Sequence, residues 1–219
     1  MTLVLAFDTS AAHCAAALLS GGEILVERYE EMGRGQAERL VPMLEDVLEE
    51  AGKTWGDLDA VATGVGPGNF TGIRISVALA RGLALSLGRP AIGVSGFEAL
   101  AEGRSGQVLA SIAAPRGNVY VQLLDDMTQS AAEVISYNSV PRHMRRREAT
   151  CIGAHSAAIA AEIGAKSLTA PHNPAPAIAR IAANRLTGAD AIAPPAPLYV
   201  RAADAAPPRD TPPVIVDDA

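Results

Sequence analysis

The stretch Gly64-Val65-Gly66-Pro67-Gly68-Asn69-Phe70-Thr71-Gly72-Ile73-Arg74-Ile75 carries four glycines and a proline between two apolar runs. Glycine this dense at a strand-to-helix junction raises the question of a phosphate cradle. A Walker loop ends in Gly-Lys-Ser/Thr, where lysine neutralises the terminal phosphates and the hydroxyl holds magnesium, but Asn69 and Phe70 follow Gly68 here. A dinucleotide loop needs GxGxxG, and Pro67 removes one of the amides such a loop would offer. The stretch reads instead as a tight crossing: Gly64, Gly66, Pro67 and Gly68 shape the turn, and Gly72 lets backbone approach the helix start.

Upstream, residues 59–65 form an apolar run that reads as a buried strand. Downstream, Thr71 is placed to cap a helix running to Leu87, with Gly88 as its stop. That helix is apolar nearly all round, so every side of it needs cover, either from the rest of the chain or from another subunit. Residues 36–51 show the opposite pattern. Leu40, Leu44, Val47 and Leu48 recur at helical spacing and acidic residues fill the other face. Residues 3–7, 14–19 and 24–28 read as three antiparallel strands, the last two joined by the Gly21-Gly22 turn. A strand at 91–94, a short helix capped by Ser95, and strands at 108–113 and 119–124 follow. Strands, helix–strand alternation and a second start with strands predict two α/β units, here 1–103 and 104–203, with a disordered Pro-rich tail at 204–219.

Net charge −6 and only 4% aromatic residues argue against a surface that grips nucleic acid broadly. The local exception is Arg142, Arg145, Arg146 and Arg147, which reads as the solvated end of a short helix, with a phosphate-contacting patch as the alternative. Cys14 and Cys151 lack metal or redox spacing and read as buried thiols of a reduced compartment. His13, His143, His155 and His172 show no metal-ligand spacing and read as surface or turn residues, so no metal and no cofactor is expected. The N-terminus has no basic leader and no apolar run looks long enough for a bilayer, so the expected location is cytoplasmic, with no membrane contact.

The segments "LAFDTSAAHCAAALL", "GQAERLVPMLEDVLEEAG", "GVGPGNFTGIRISVALARGLAL", "IGVSGFEALA" and "PLYVRAA" together resemble the TsaB (YeaZ) family of glycoprotease-like, peptidase M22-like proteins, over most of the chain to about Ala203. The resemblance implies two actin-like (ASKHA, ribonuclease H-like) α/β domains with mixed sheets and flanking helices. It implies a non-catalytic partner of a homologous catalytic subunit, TsaD, and of a small ATPase, TsaE, in placing threonylcarbamoyl on the adenosine beside the anticodon of ANN-decoding tRNAs. Contact with tRNA comes through the complex, and a homodimer forms when the partner is absent. Docking falls to the first two helices, and the interface candidates are Leu40, Met43, Val47, Arg74, Val77, Ala80, Arg81 and Ala84. Arg74 is expected to pair with an acidic residue of the first helix or of the partner. Gln36 and Ala113 stand where many members carry histidine and aspartate.

Asp8-Thr9-Ser10 is the strongest candidate for chemistry, since actin-like ATPases hold magnesium-bound water and phosphate at such a turn. Ala11 and Ala12 lack the polar side chains that turn needs, so it reads as a degenerate phosphate turn in which Asp8 and Thr9 satisfy local amides. A stand-alone nucleotide-binding ATPase or phosphotransferase is the alternative function, and a peptidase is the third.

Overall fold

A computed structural model of the chain describes residues 1–125, 128–188 and 192–200; the tail expected at 204–219 lies outside the described residues. The first sheet opens with β1 (Leu3–Asp8), β2 (His13–Ser20) and β3 (Glu23–Glu31), paired antiparallel as expected. Then β4 (Ala60–Gly64) joins β1 in parallel and β5 (Ala91–Val94) joins β4, giving the order β3-β2-β1-β4-β5. The second sheet holds β6 (Val108–Ala114), β7 (Asn118–Leu124), β8 (Glu133–Ser136), β9 (Thr150–Gly153) and β10 (Lys166–Leu168) in the order β10-β9-β6-β7-β8. Here β6, β9 and β10 run parallel and the β6–β7–β8 meander is antiparallel, so both sheets are mixed.

Two helices cover one face of the first sheet. In α1 (Gln36–Glu50), Leu40, Met43, Leu44, Val47 and Leu48 are buried against Leu5, Phe7, Ala16 and Leu18, while Glu38, Glu45, Asp46, Glu49 and Glu50 face out. Leu40, Met43 and Val47 are 0% exposed, so these three interface candidates belong to the chain's own core. In α2 (Phe70–Leu87) the cap is Asn69 rather than Thr71. The Asn69 side chain accepts from the Gly72 amide at 2.9 Å, and Thr71 already sits in the first turn.

Val77, Ala80 and Ala84 are buried too, which corrects their expected place on the interface. The small alanines let α2 settle closely on β4. The opposite side of the same helix carries Phe70, Arg74, Ala78, Arg81 and Leu85, all exposed, with Leu85 at 86%. By length and composition α2 is apolar enough to cross a membrane, contrary to expectation, because its Ala and Leu content raises mean hydropathy to 1.4 over 18 residues. Its buried stripe packs on the sheet, and Arg74 and Arg81 interrupt the outer one.

The remaining helices cross between the units. Ser95 and Glu98 cap α3 (Gly96–Ala101), whose Phe97 packs with Val108, Ala110 and Ile152 of the second sheet. After α4 (Ser156–Ile163), α5 (Ala175–Thr187) returns to the uncovered face of the first sheet. There Ala177, Ile178, Ala179 and Ala182 meet Val4, Ala6, Ala62 and Ile92. A clean division at residue 103/104 therefore misplaces α5, which completes the first layer from within the second half of the sequence. The segment 192–200 returns as well, with the Leu198 amide donating to the Val65 carbonyl at 2.8 Å.

Candidate functional site

The end of β1 and the glycine loop form one unit. Asp8 is 3% exposed, and its carboxylate accepts from the Ser10 amide at 2.6 Å and the Ser10 hydroxyl at 2.8 Å, with His13 Nε2 at 3.3 Å. Two residues, Ser10 of the turn and His13 at the start of β2, thus bond this carboxylate through three groups. Thr9 does not serve a local amide: its hydroxyl donates to the Gly72 carbonyl at 2.7 Å. His13 is 8% exposed and bonded to Asp8, so it is a buried positioning partner rather than a surface histidine.

The glycine loop answers to this turn. A Cβ on Gly68 would sit on the Ser10 carbonyl, one on Gly72 on the Thr9 carbonyl, and one on Gly64 on the Asp8 carboxylate. The Asn69 amide, which a phosphate loop would aim at its ligand, donates to the Ser10 carbonyl at 2.6 Å. Gly66 has φ 92 and the Gly66–Pro67 peptide is cis. Glycine is used here so that the loop can lie against the Asp8–Ser10 turn.

Beside this unit a cleft of about 520 Å³ opens between the two sheets. Asp8, His13 and Gly68 line it from the first, and Ser111, Ala113 and Tyr120 from the second. Ala113 contributes only a methyl to this lining. Gln36 donates to the Ala11 and Met32 carbonyls at 3.4 and 3.2 Å, which ties the start of α1 to the same turn. Among the described residues no three His, Cys, Asp or Glu side chains converge in a way that could hold a metal ion. His143 reaches Glu133 at 2.8 Å, His155 stacks on Tyr137, and His172 meets Tyr29 in a tilted ring contact.

Arg74 pairs with no acidic side chain among the described residues. Its Nε donates to the Tyr199 hydroxyl at 3.0 Å and its guanidinium lies 3.7 Å above the Phe70 ring, which Tyr199 also stacks on. Arg81 is exposed one turn beyond the middle of α2. Of the eight interface candidates, Arg74 and Arg81 are the ones on the outer surface. Sequence reasoning missed Ala78 and Leu85, which the 3.6-residue period places on the same stripe as Arg74 and Arg81.

On the α1 side, Arg39 binds Glu30 through Nε at 2.9 Å and Nη2 at 2.6 Å, and Asp46 at 3.0 Å; this pairing holds the Glu30 carboxyl below its usual range. Burial, aided by the charge of Glu30, pushes the Cys14 thiol up to about 11, and burial alone does the same for Cys151. Neither thiol is poised as a nucleophile.

The family model described as TsaD, tRNA N6-adenosine threonylcarbamoyltransferase, matches residues 30–184. The chain is 40% identical over 122 residues to the tRNA threonylcarbamoyladenosine biosynthesis protein TsaB of Escherichia coli, covering 53% of this chain and 52% of that protein. It thus spans about half the length of the curated TsaB relatives it matches. An uncharacterized protein of Mycobacterium tuberculosis is 31% identical over 221 residues, with 94% of this chain and 95% of that protein covered. Among solved structures, YeaZ from Pseudomonas aeruginosa superposes with a TM-score of 0.72 at 31% identity, covering 91% of this chain and 100% of that one. Component A of the Acidaminococcus fermentans (R)-2-hydroxyglutaryl-CoA dehydratase shares the fold at a TM-score of 0.56 and 12% identity, covering 86% of this chain and 100% of that one. The architecture is the two-domain actin-like α/β fold.

Proposed function

This chain belongs to the TsaB (YeaZ) family, and we propose that it acts as the non-catalytic scaffold and activator of the machinery that transfers threonylcarbamoyl to the adenosine beside the anticodon of ANN-decoding tRNAs. The observation that carries this reading is the Asp8 carboxylate. Where a working actin-like ATPase would leave that group free for magnesium-bound water, here Ser10 and His13 occupy it. The amide at Asn69 is likewise committed to the chain's own backbone. A domain that has closed its nucleotide turn on itself but kept an unpaired apolar helix face is suited to hold a partner.

The partner in this proposal is the homologous catalytic subunit, TsaD, with the ATPase TsaE joining the assembly and a second copy of this chain replacing TsaD in its absence. Docking uses the outer stripe of α2, Phe70, Arg74, Ala78, Arg81 and Leu85, together with Val41 of α1, which is 37% exposed. Between them, Ile75, Leu79 and Leu83 are only partly buried and form an apolar seam that a partner helix would cover.

The test is threonylcarbamoyl transfer in a mixture of catalytic subunit, ATPase, activated threonyl donor and tRNA, run with and without this chain. Transfer that requires the chain and survives Asp8→Ala is the expected result. Transfer indifferent to the chain, together with Mg-ATP binding that Asp8→Ala abolishes, would instead establish the stand-alone nucleotide-binding function.

A further inference from the structure

The two halves of the chain carry opposite charge. Residues 1–103 hold seven Lys and Arg against fourteen Asp and Glu, whereas residues 104–200 hold nine against six. The excess in the second half is concentrated at one end of its sheet. Arg142 lies in a 3-10 turn, Arg146 and Arg147 lie in the turn that leads into β9, and Lys166 opens β10, where its Cα pairs with Thr150 at the start of β9. All four are exposed.

Their neighbours leave this charge uncompensated. Glu162 is taken by Arg145 at 2.6 Å, Arg145 also donates to the Val140 carbonyl, and Glu133 is taken by His143. Among the described residues, the side chains of Arg142, Arg147 and Lys166 have no hydrogen-bond or ion-pair partner, and that of Arg146 bonds only a backbone carbonyl. Glu148 is the exposed carboxylate within the run itself. The cleft lies past the other ends of β6 and β9, at Ser111 and Gly153, about 10 Å of strand from the start of β9, and none of the four basic residues lines it.

We propose that Arg142, Arg146, Arg147 and Lys166 form a phosphate-contacting surface, by which this chain holds the sugar-phosphate backbone of the tRNA while its acidic half faces elsewhere. Guanidiniums on a short turn suit this task, because each can take a phosphate through two parallel N–H donors with little ordering cost. The contacts are to backbone, so they position the RNA without reading its sequence. This inference rests on the tRNA-modifying role proposed above.

The experiment is a titration of an ANN-decoding tRNA transcript into the complex of this chain with its catalytic partner, over a range of salt, for wild type and for the triple variant Arg142→Gln, Arg146→Gln, Arg147→Gln. Each phosphate contact contributes about 0.7–0.9 to the slope of log affinity against log salt, the range from single strands to duplex DNA. The expected result is a slope reduced by about 2–3 and an affinity more than tenfold weaker at low salt, with complex assembly and thermal unfolding unchanged, and with the triple Lys variant keeping the wild-type slope at an affinity between the two. An unchanged slope and affinity would overturn the proposal, as would loss of partner assembly at unchanged tRNA affinity, which would assign the patch to a protein contact. The transfer assay separates the two readings: a patch-dependent slope with transfer indifferent to this chain refutes the scaffold role and leaves the patch standing. A patch-independent slope with chain-dependent transfer does the reverse.

Discussion

Helices α1 and α2 lie side by side on the same face of the same sheet, yet they finish their outer surfaces in opposite ways. On α1 the outside is acidic apart from Val41 at its edge, and Arg39 locks onto Glu30 and Asp46, so most of that helix is finished in water. On α2 the outside presents Phe70, Ala78 and Leu85 and the two arginines, with a seam of Ile75, Leu79 and Leu83 beside it. Both helices satisfy the sheet equally well. The difference lies in the outer stripe of α2, where Ala78 and Leu85 stay exposed while the seam beside it packs partly on the core; in the proposed function that stripe is where another molecule docks.

The comparison breaks first if the two faces of α2 are not truly inner and outer. Ala80→Glu places a carboxylate where no solvent reaches, and a buried unpaired charge costs about 3–5 kcal/mol. The expected outcome is aggregation or a collapse of the thermal transition; a soluble variant of unchanged Tm would mean that Ala80 faces outward. A milder test on the same inner side is Gly72→Ala, whose new methyl would strike the Thr9 carbonyl. Overpacking of this kind costs about 1–3 kcal/mol, which urea unfolding measures, and a neutral result would dissolve the link between the glycine loop and the Asp8–Ser10 turn.

The thiols sharpen the claim that the α1 side is sealed. Cys14 lies beneath α1 and its folded pKa is raised, from 9.0 to about 11. Because the unfolded chain gives up the proton first, stability from this site is fully present below pH 9 and is lost as pH rises toward 11. Cys151 adds a fall over the same window from the second sheet. Chemical denaturation between pH 8 and 11 should show the decline, and a thiol reagent at pH 8 should titrate neither cysteine until denaturant is added. Rapid labelling of Cys14 in native protein would show the α1 side to be open.

Much of this arrangement is legible from sequence, and the limits have physical causes. The first three strands follow from short apolar runs and the Gly21-Gly22 turn, and the α1 core face follows from 3.6 periodicity. The same periodicity cannot say whether an apolar stripe faces a sheet or a partner, so it could not sort Leu40, Met43, Val47, Val77, Ala80 and Ala84, on helices to which the family resemblance assigns docking, into core and surface. Alanine intensifies the ambiguity on α2, since it fits inside and outside alike. The match of Gly68 and Gly72 to Ser10 and Thr9 joins positions about sixty residues apart, and nothing local in either segment announces the other. The return of α5 to the first sheet is likewise invisible, because an apolar helix face does not name the sheet it will cover.

The smallest effects on the fold separate scaffold from core most sharply. Gly82 sits on the exposed side of α2, and an added Cβ there meets nothing within 4 Å. Gly82→Ala should therefore raise stability by about 0.5–1 kcal/mol through helix propensity, the reverse of Gly72→Ala on the same helix. Leu85→Glu should change stability by less than about 0.5 kcal/mol, since a side chain 86% exposed makes few contacts to lose. Its effect should appear only in assembly: size-exclusion chromatography with the catalytic partner, or of the chain alone at high concentration, should show the complex lost while Tm holds. The acidic outer face of α1 provides the control, because Glu49→Gln changes charge on a helix already finished in water and should leave assembly intact. If Leu85→Glu assembles as well as wild type, the apolar stripe of α2 is not the docking face, and the contrast between the two helices has no bearing on partnership.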